Sequence, residues 1–171
     1  MKTIPGVLTA SECASHIARA EAAGFDEAPI TTRTGFVRRP DIRNNTRVMV
    51  DDAPFVATLW RKLARHALPV PGATPIGLNE RLRYYRYDPG QFFAPHHDGA
   101  FVRSETERTF VTVIVYLNDD YLGGETIVAG EPVLPREGQA LLFHHPVLHE
   151  GAPVDMGRKY VLRTDILYRL D

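Results

Sequence analysis

The chain is poor in the residues that staple or anchor a protein. Its 171 residues include one cysteine, Cys13, which excludes an internal disulfide and a cysteine-based zinc cluster. Lysine is scarce too: Lys2, Lys62 and Lys159 stand against a basic total of 20, so each lysine is worth locating. No run approaches the roughly 18 apolar residues that a membrane-spanning helix needs. Neither sign of charge dominates, with 20 basic and 21 acidic residues giving a net charge of −1. That balance argues against a general binder of nucleic acid or membrane surfaces, which carries a basic excess. Repeats and low-complexity tracts are absent. Met1-Lys2-Thr3-Ile4-Pro5 lacks the apolar stretch of a signal peptide. The expectation is a soluble, cytoplasmic protein with one domain over residues 1–171, large enough to bury roughly 70% of its unfolded surface without a staple.

The first part reads as helical. Thr9-Ala10-Ser11-Glu12 has the pattern of a capping box, and Gly24 supplies a stop after an alanine-rich stretch. Ile17 with Ala20, or Ala14 with Ala18, are the candidates for its buried face. A second helix is expected over about 53–67, capped by Asp51 or Asp52, with Pro54 in its first turn. Phe55, Leu59, Trp60 and Leu63 recur there at helical spacing. Residues 28–50, rich in Arg, Thr and Asn, read as irregular or partly extended.

From about Leu78 the texture changes. Arg81–Tyr87, Phe110–Leu117, Gln139–Phe143 and Lys159–Leu167 are rich in β-branched and aromatic residues. Turn signals separate them, including Asp88-Pro89-Gly90 and Gly123-Gly124. Short strands after a helical lead-in predict a mainly β (α+β) chain, a sandwich or barrel with supporting helices.

Five of the seven histidines lie between residues 96 and 149. In Pro95-His96-His97-Asp98 an extended backbone turns His96 and Asp98 to one side and His97 to the other. An imidazole and a carboxylate that converge can hold a metal, with His149 as the best third donor. Two histidines and one carboxylate make the facial triad of non-haem Fe(II) oxygenases, which leaves coordination positions open. A catalytic zinc suits the same donors, and an isolated His-x-Asp also occurs as plain surface polarity. Lys159 starts a strand whose alternation puts Lys159, Val161, Arg163 and Asp165 on one face. A lysine aimed into a barrel needs an anion, such as the distal carboxylate of 2-oxoglutarate; the alternative is a solvated strand end.

The run Tyr87-Asp88-Pro89-Gly90-Gln91-Phe92-Phe93-Ala94-Pro95-His96-His97-Asp98 resembles the iron motif of prolyl 4-hydroxylase-type Fe(II)/2-oxoglutarate dioxygenases. Tyr116-Leu117-Asn118-Asp119-Asp120 with Gly123-Gly124-Glu125-Thr126, Gly138-Gln139-Ala140-Leu141-Leu142-Phe143, His149-Glu150-Gly151-Ala152-Pro153-Val154 and Gly157-Arg158-Lys159 follow in the family's order. The resemblance covers about residues 79–171. It implies a double-stranded β-helix (jelly roll) core over 79–171, with residues 1–78 as a helical support. It implies His96, Asp98 and His149 as metal ligands, and Lys159 and Tyr87 as holders of the 2-oxoglutarate carboxylate. The implied cofactors are Fe(II), 2-oxoglutarate and O₂, with room for ascorbate. The implied reaction hydroxylates an unactivated C–H bond and releases succinate and CO₂.

Two positions depart from the family. Asp165 stands where prolyl 4-hydroxylases usually carry Trp, and Arg163 where a small residue is common. Arg163 shares the 2-oxoglutarate carboxylate with Lys159, replaces Lys159 there, or is satisfied by Asp165 with no direct role. Arg108 stands near the place of the family's substrate-side arginine, one residue out of register with Thr112. His97, His144 and His145 read as packing or surface groups. Arg81, Arg83 and Tyr85 share the face of Tyr87 and are candidates for substrate contact, whereas Asn44-Asn45-Thr46-Arg47 reads as solvated loop, with the lining of a substrate entrance as the alternative. The expected substrate is a residue of a peptide or protein, or a free amino acid or other small metabolite. Nucleic-acid demethylation fits the near-neutral charge poorly. A non-catalytic metal-binding jelly-roll sensor is the reading from another class. Nothing in the sequence sets the oligomeric state.

Overall fold

The computed structural model of the chain describes residues 1–32 and 35–171, which build two main antiparallel sheets. The large sheet runs Lys2–Ile4, Ala140–His144, Glu107–Tyr116, Lys159–Leu170, Arg81–Tyr87, Thr46–Asp51, Asp26–Glu27, and Ala73–Leu78 pairs with the far half of Lys159–Leu170. The small sheet runs Glu131–Val133, Thr126–Val128, His149–Gly151, Phe93–His96. The two sheets make the jelly roll.

Period-two alternation divides each long strand between two cores. Leu82, Tyr84, Val111, Val113, Val115, Leu142 and Leu162 turn outward to the helices. Tyr85, Tyr87, Tyr116, Leu141, Phe143 and Val161 turn inward to the small sheet. The inner face is where the strands also carry Thr112, Lys159 and Arg163. Lys159 and Tyr87 are direct cross-strand partners, as are Arg163 and Arg83.

Helix α1 (Ala10–Ala23) has the expected capping box, with Thr9 Oγ1 accepting from the Glu12 N–H at 3.2 Å and Glu12 accepting from the Thr9 N–H at 2.7 Å. Its buried face is Cys13, His16 and Ala20, with Ile17 at the edge. Ala14 and Ala18 are exposed, so the alternative face is not used. Helix α2 (Ala53–Leu63) starts at Asp52, whose side chain accepts from the Phe55 N–H at 2.9 Å and also from Arg19 of α1. Beyond Leu63 the chain tightens into a 3₁₀ turn, Ala64–His66. Burial of Val56, Leu59 and Leu63 contributes about 1.5–3 kcal/mol per side chain toward holding α2 on the sheet.

Residues 1–78 are more than a helical support, because Lys2–Ile4, Asp26–Glu27, Thr46–Asp51 and Ala73–Leu78 are strands of the large sheet. Within 28–50, Ile30–Thr32 and Gly35–Val37 pair as a hairpin, while residues 33 and 34 lie outside the described residues. Among the described residues no helix is long and apolar enough to cross a membrane.

Candidate metal and co-substrate site

His96 and His149 are cross-strand partners on the small sheet, and their rings lie 4.1 Å apart. Asp98 lies just past the end of the Phe93–His96 strand. Its N–H donates to the His145 carbonyl at 3.1 Å, which turns its carboxylate back toward both imidazoles. Asp98 Oδ2 is 3.4 Å from His149 Nε2, and Asp98 Oδ1 is 4.0 Å from His96 Nε2. The three donor atoms lie within 4.8 Å of one another.

The opposite edges of the imidazoles are fixed. His96 Nδ1 donates to the Ala94 carbonyl at 2.8 Å, and His149 Nδ1 donates to the Val147 carbonyl at 2.9 Å. A carbonyl only accepts, so each Nδ1 carries the proton and each Nε2 presents a lone pair. This is the arrangement that ligating histidines use. Burial pushes both imidazoles below their usual value, reinforced at His96 by His149, so both stay neutral. Burial pushes the Asp98 carboxyl up, but the Arg163 guanidinium and the Thr112 hydrogen bond outweigh it and keep it ionised. Two neutral nitrogens and one carboxylate suit a divalent metal of the Fe(II) type.

The same cavity reaches Lys159, which is 2% exposed. Its Nζ donates to the Gly124 carbonyl at 2.6 Å and the Thr126 hydroxyl at 3.3 Å, and lies 5.3 Å from the centre of the Tyr87 ring. No carboxylate pairs with it among the described residues. Burial therefore lowers its pKa to about 7. Burial raises the Tyr87 phenol to about 12, so it remains a hydrogen-bond donor in the cavity wall. Gly124 is required by geometry: at φ +64° a Cβ there would meet Val154 Cγ2 at 2.8 Å.

Arg163 lies at the metal end. It is paired with Asp98 and Asp165, each at 3.0 Å, and not with the Lys159 end, which is roughly 13 Å back along the strand. Asp165 also accepts from Arg83 at 3.0 Å. The expected inward Arg163–Asp165 pair is present, and Arg83 faces the mouth with Tyr85. Arg81 instead pairs with Asp51 at the surface. His97 Nδ1 donates to the Pro146 carbonyl, 3.0 Å away, and takes no part in the cluster.

The solvated-loop reading of 44–47 does not hold. Asn45 is fully buried and accepts from Arg43 Nε at 2.7 Å, while Arg47 lines the cavity mouth. Arg43, which the motifs gave no reason to single out, lies over the rings of Tyr85 and Phe93 at 4.6 and 4.3 Å. The available signal was the spacing Arg43, Asn45, Arg47, which puts three polar side chains on one face of an extended segment.

Comparison with known proteins agrees with this geometry. Residues 82–164 match the 2OG-Fe(II) oxygenase superfamily. A putative prolyl 4-hydroxylase of Acanthamoeba polyphaga mimivirus is 28% identical over 142 residues, which covers 71% of this chain and 57% of that protein. The chain spans about half the length of the curated relatives it matches. The viral collagen prolyl hydroxylase of Paramecium Bursaria Chlorella virus-1, solved with 2OG, superposes with a TM-score of 0.70 at 20% identity, covering 99% of this chain and 96% of that one. A Trichoplax adhaerens prolyl hydroxylase, solved with a hypoxia inducible factor peptide fragment, gives 0.72 at 16% identity, covering 99% and 83%. Family match, relatives and jelly-roll fold agree: the chain is similar to 2OG-Fe(II) oxygenases of the prolyl 4-hydroxylase type.

Proposed function

We propose that the protein is an Fe(II)- and 2-oxoglutarate-dependent dioxygenase that hydroxylates an unactivated C–H bond. The observation that carries this reading is the pairing of two features in one cavity: a three-donor cluster, His96, Asp98 and His149, and a buried ammonium, Lys159, with no carboxylate in contact among the described residues. A buried cation of this kind calls for an anionic ligand. In this reading His96, Asp98 and His149 hold the iron, and Lys159 and Tyr87 hold the distal carboxylate of 2-oxoglutarate. Bound Fe(II), with 2-oxoglutarate and O₂, supplies the oxidation: 2-oxoglutarate gives succinate and CO₂, and one oxygen atom enters the substrate.

The chain's own groups prepare that chemistry. The Ala94 and Val147 carbonyls keep both imidazoles oriented with Nε2 free. Thr112 donates to Asp98 Oδ2 at 2.6 Å, and Arg163 pairs with Oδ1, so the carboxylate is held from both sides. Phe93, Ile114 and Val161 line the space between the donor cluster and Lys159 and exclude water from it. Prolyl hydroxylase relatives, one solved with a peptide, support a peptide residue as substrate.

The test is an anaerobic titration of the metal-free protein with Fe(II), then 2-oxoglutarate, reading the visible charge-transfer band of the chelate. The band should appear in the wild type and be absent from His96→Ala. Lys159→Ala should weaken 2-oxoglutarate at least tenfold. Fe(II) binding without the band would leave a metal-binding jelly roll with another purpose.

A further inference from the structure

The mouth that leads to His96 and Asp98 has a volume of about 620 Å³, the size of a small-molecule or short-peptide site. Its charged lining is one-sided. Asp98 is the one acid among the described residues that line it, against Arg43, Arg47, Arg83 and Arg163. Arg83 and Arg163 are charge-paired with Asp165, and Arg163 also with Asp98, although Arg163 Nε is buried without a hydrogen-bond partner among the described residues. Arg43 and Arg47 have no carboxylate partner among the described residues.

Arg43 is 6% exposed, and its Nε is used by Asn45, yet Nη2 is buried without a hydrogen-bond partner among the described residues. An unmet buried guanidinium donor is costly. The placement is rigid: the guanidinium lies 4.3 Å over Phe93, and Phe93 stacks at 3.5 Å on His96. One phenyl ring therefore separates the unpaired cation from a metal-ligand imidazole. Arg47 is half-buried on the neighbouring strand as the cross-strand partner of Tyr85 and Asp26; its guanidinium lies 5.9 Å from the centre of the Phe36 ring and makes no ion pair among the described residues.

The local field is positive enough to act on neutral neighbours. Burial pushes the Tyr85 phenol up, but Arg163, Arg43 and Arg83 outweigh it and bring it down to about 8. Burial, with Arg43, Arg83 and Arg163, also holds Arg47 below the usual guanidinium value. A site that concentrates unpaired guanidiniums at its entrance selects an anion.

We propose that the primary substrate carries a carboxylate, received at the mouth by Arg43 Nη2 and Arg47, beside the cavity that His96 and Asp98 share. This rests on the oxygenase reading and narrows its substrate to an acid. The carboxylate belongs either to a small free acid or to an acidic side chain of a peptide; both present the same group to the arginines. It is distinct from the 2-oxoglutarate carboxylate given to Lys159.

The experiment uses the full chain loaded with redox-inert Ni(II) and stoichiometric 2-oxoglutarate, with binding read by calorimetry. One probe set is free L-amino acids and their methyl esters. The other is short proline peptides with Asp or Glu beside the proline and their Asn or Gln counterparts. In one set the carboxylate form should bind at least tenfold tighter than its neutral counterpart, and the set identifies the source of the acid. Arg47→Gln should abolish that preference and Arg47→Lys should keep part of it, with each variant's thermal unfolding recorded to confirm its fold. Equal binding by the neutral forms, no binding by any carboxylate, or a preference that survives Arg47→Gln overturns the proposal. Binding of 2-oxoglutarate to the same sample is measured first. Its absence counts against the oxygenase reading, whereas its presence without carboxylate preference counts against the mouth assignment alone.

Discussion

Arg83 and Arg163 stand directly opposite each other on neighbouring strands, and Asp165 accepts from both, at 3.0 Å each. Like charges directly opposite repel, so the carboxylate is what lets the two guanidiniums share the inner face. His145 Nε2 is 3.5 Å from the same carboxylate. Arg163 passes the constraint on, because it also pairs with Asp98. The buried Asp165 thus acts as the counter-charge that positions Arg163 beside the His96, Asp98 and His149 donors.

Asp165→Asn should therefore destabilise the fold. Removing one partner from a buried charge network costs about 3 kcal/mol, and for a chain of this size that lowers Tm by roughly 6–12 °C. Thermal unfolding of the metal-free protein measures it. A Tm within a degree of wild type would mean that Asp98 alone satisfies Arg163.

Thr112→Val tests how the metal carboxylate is held. The Thr112 hydroxyl is buried, donates to Asp98 Oδ2 at 2.6 Å, and makes the strand's inner face polar at that point. The isostere removes the donor with little change in volume. Metal affinity should fall by about 10- to 100-fold while the fold persists. Competition with a colorimetric chelator gives the number, and an unchanged affinity would assign the orientation of Asp98 to Arg163.

Much of this was legible because alternation is a strict geometric rule. Lys159, Val161, Arg163 and Asp165 were expected on one face, and Lys159, Val161 and Arg163 line the cavity while Asp165 meets Arg163. His96 and Asp98 were expected to converge, and they do, although Asp98 lies outside the strand and is turned by its bond to the His145 carbonyl. That bond joins residues far apart in sequence and leaves no local trace. The direction of Arg163 was also open, since a long side chain reaches either end of a cavity and the rotamer is set by its partners. The edge strands Lys2–Ile4 and Asp26–Glu27 are too short for any period to show. Arg43 and Asn45 looked like loop residues because a buried, stacked arginine and a solvated one have the same composition.

The metal site should hold up in acid longer than ordinary histidines would allow. Burial holds His96 down to about 4 and His149 below its usual value, so the proton competes with the metal only in that lower range. Affinity for Co(II) should change less than threefold from pH 7.5 to about 6 and fall only below that. The unfolded chain takes up these protons first as pH drops through about 6.5, so stability of the metal-free protein should decline on the same side. A metal affinity that falls steadily from pH 7.5 would mean the imidazoles titrate at their ordinary value.

Lys159 contributes a pH dependence of stability of the same sign, in a higher window, and a direct handle on the co-substrate. Its pKa falls from 10.5 to about 7 on folding. Between those values the unfolded chain binds the extra proton, so stability of the ligand-free protein rises with pH across that window and carries the full penalty below pH 7. Lys159→Met removes the buried charge and should raise Tm at pH 6.5 by roughly 3–8 °C, equivalent to about 1–2 kcal/mol, with the slope between pH 7 and 10 reduced. Binding runs the other way. A dicarboxylate needs the ammonium, so 2-oxoglutarate affinity of the metal-loaded wild type should weaken roughly tenfold between pH 7 and 8.5 as the lysine deprotonates. Lys159→Met should bind it weakly at both. Calorimetry across that range decides the matter: a flat profile in the wild type would take the distal carboxylate away from Lys159.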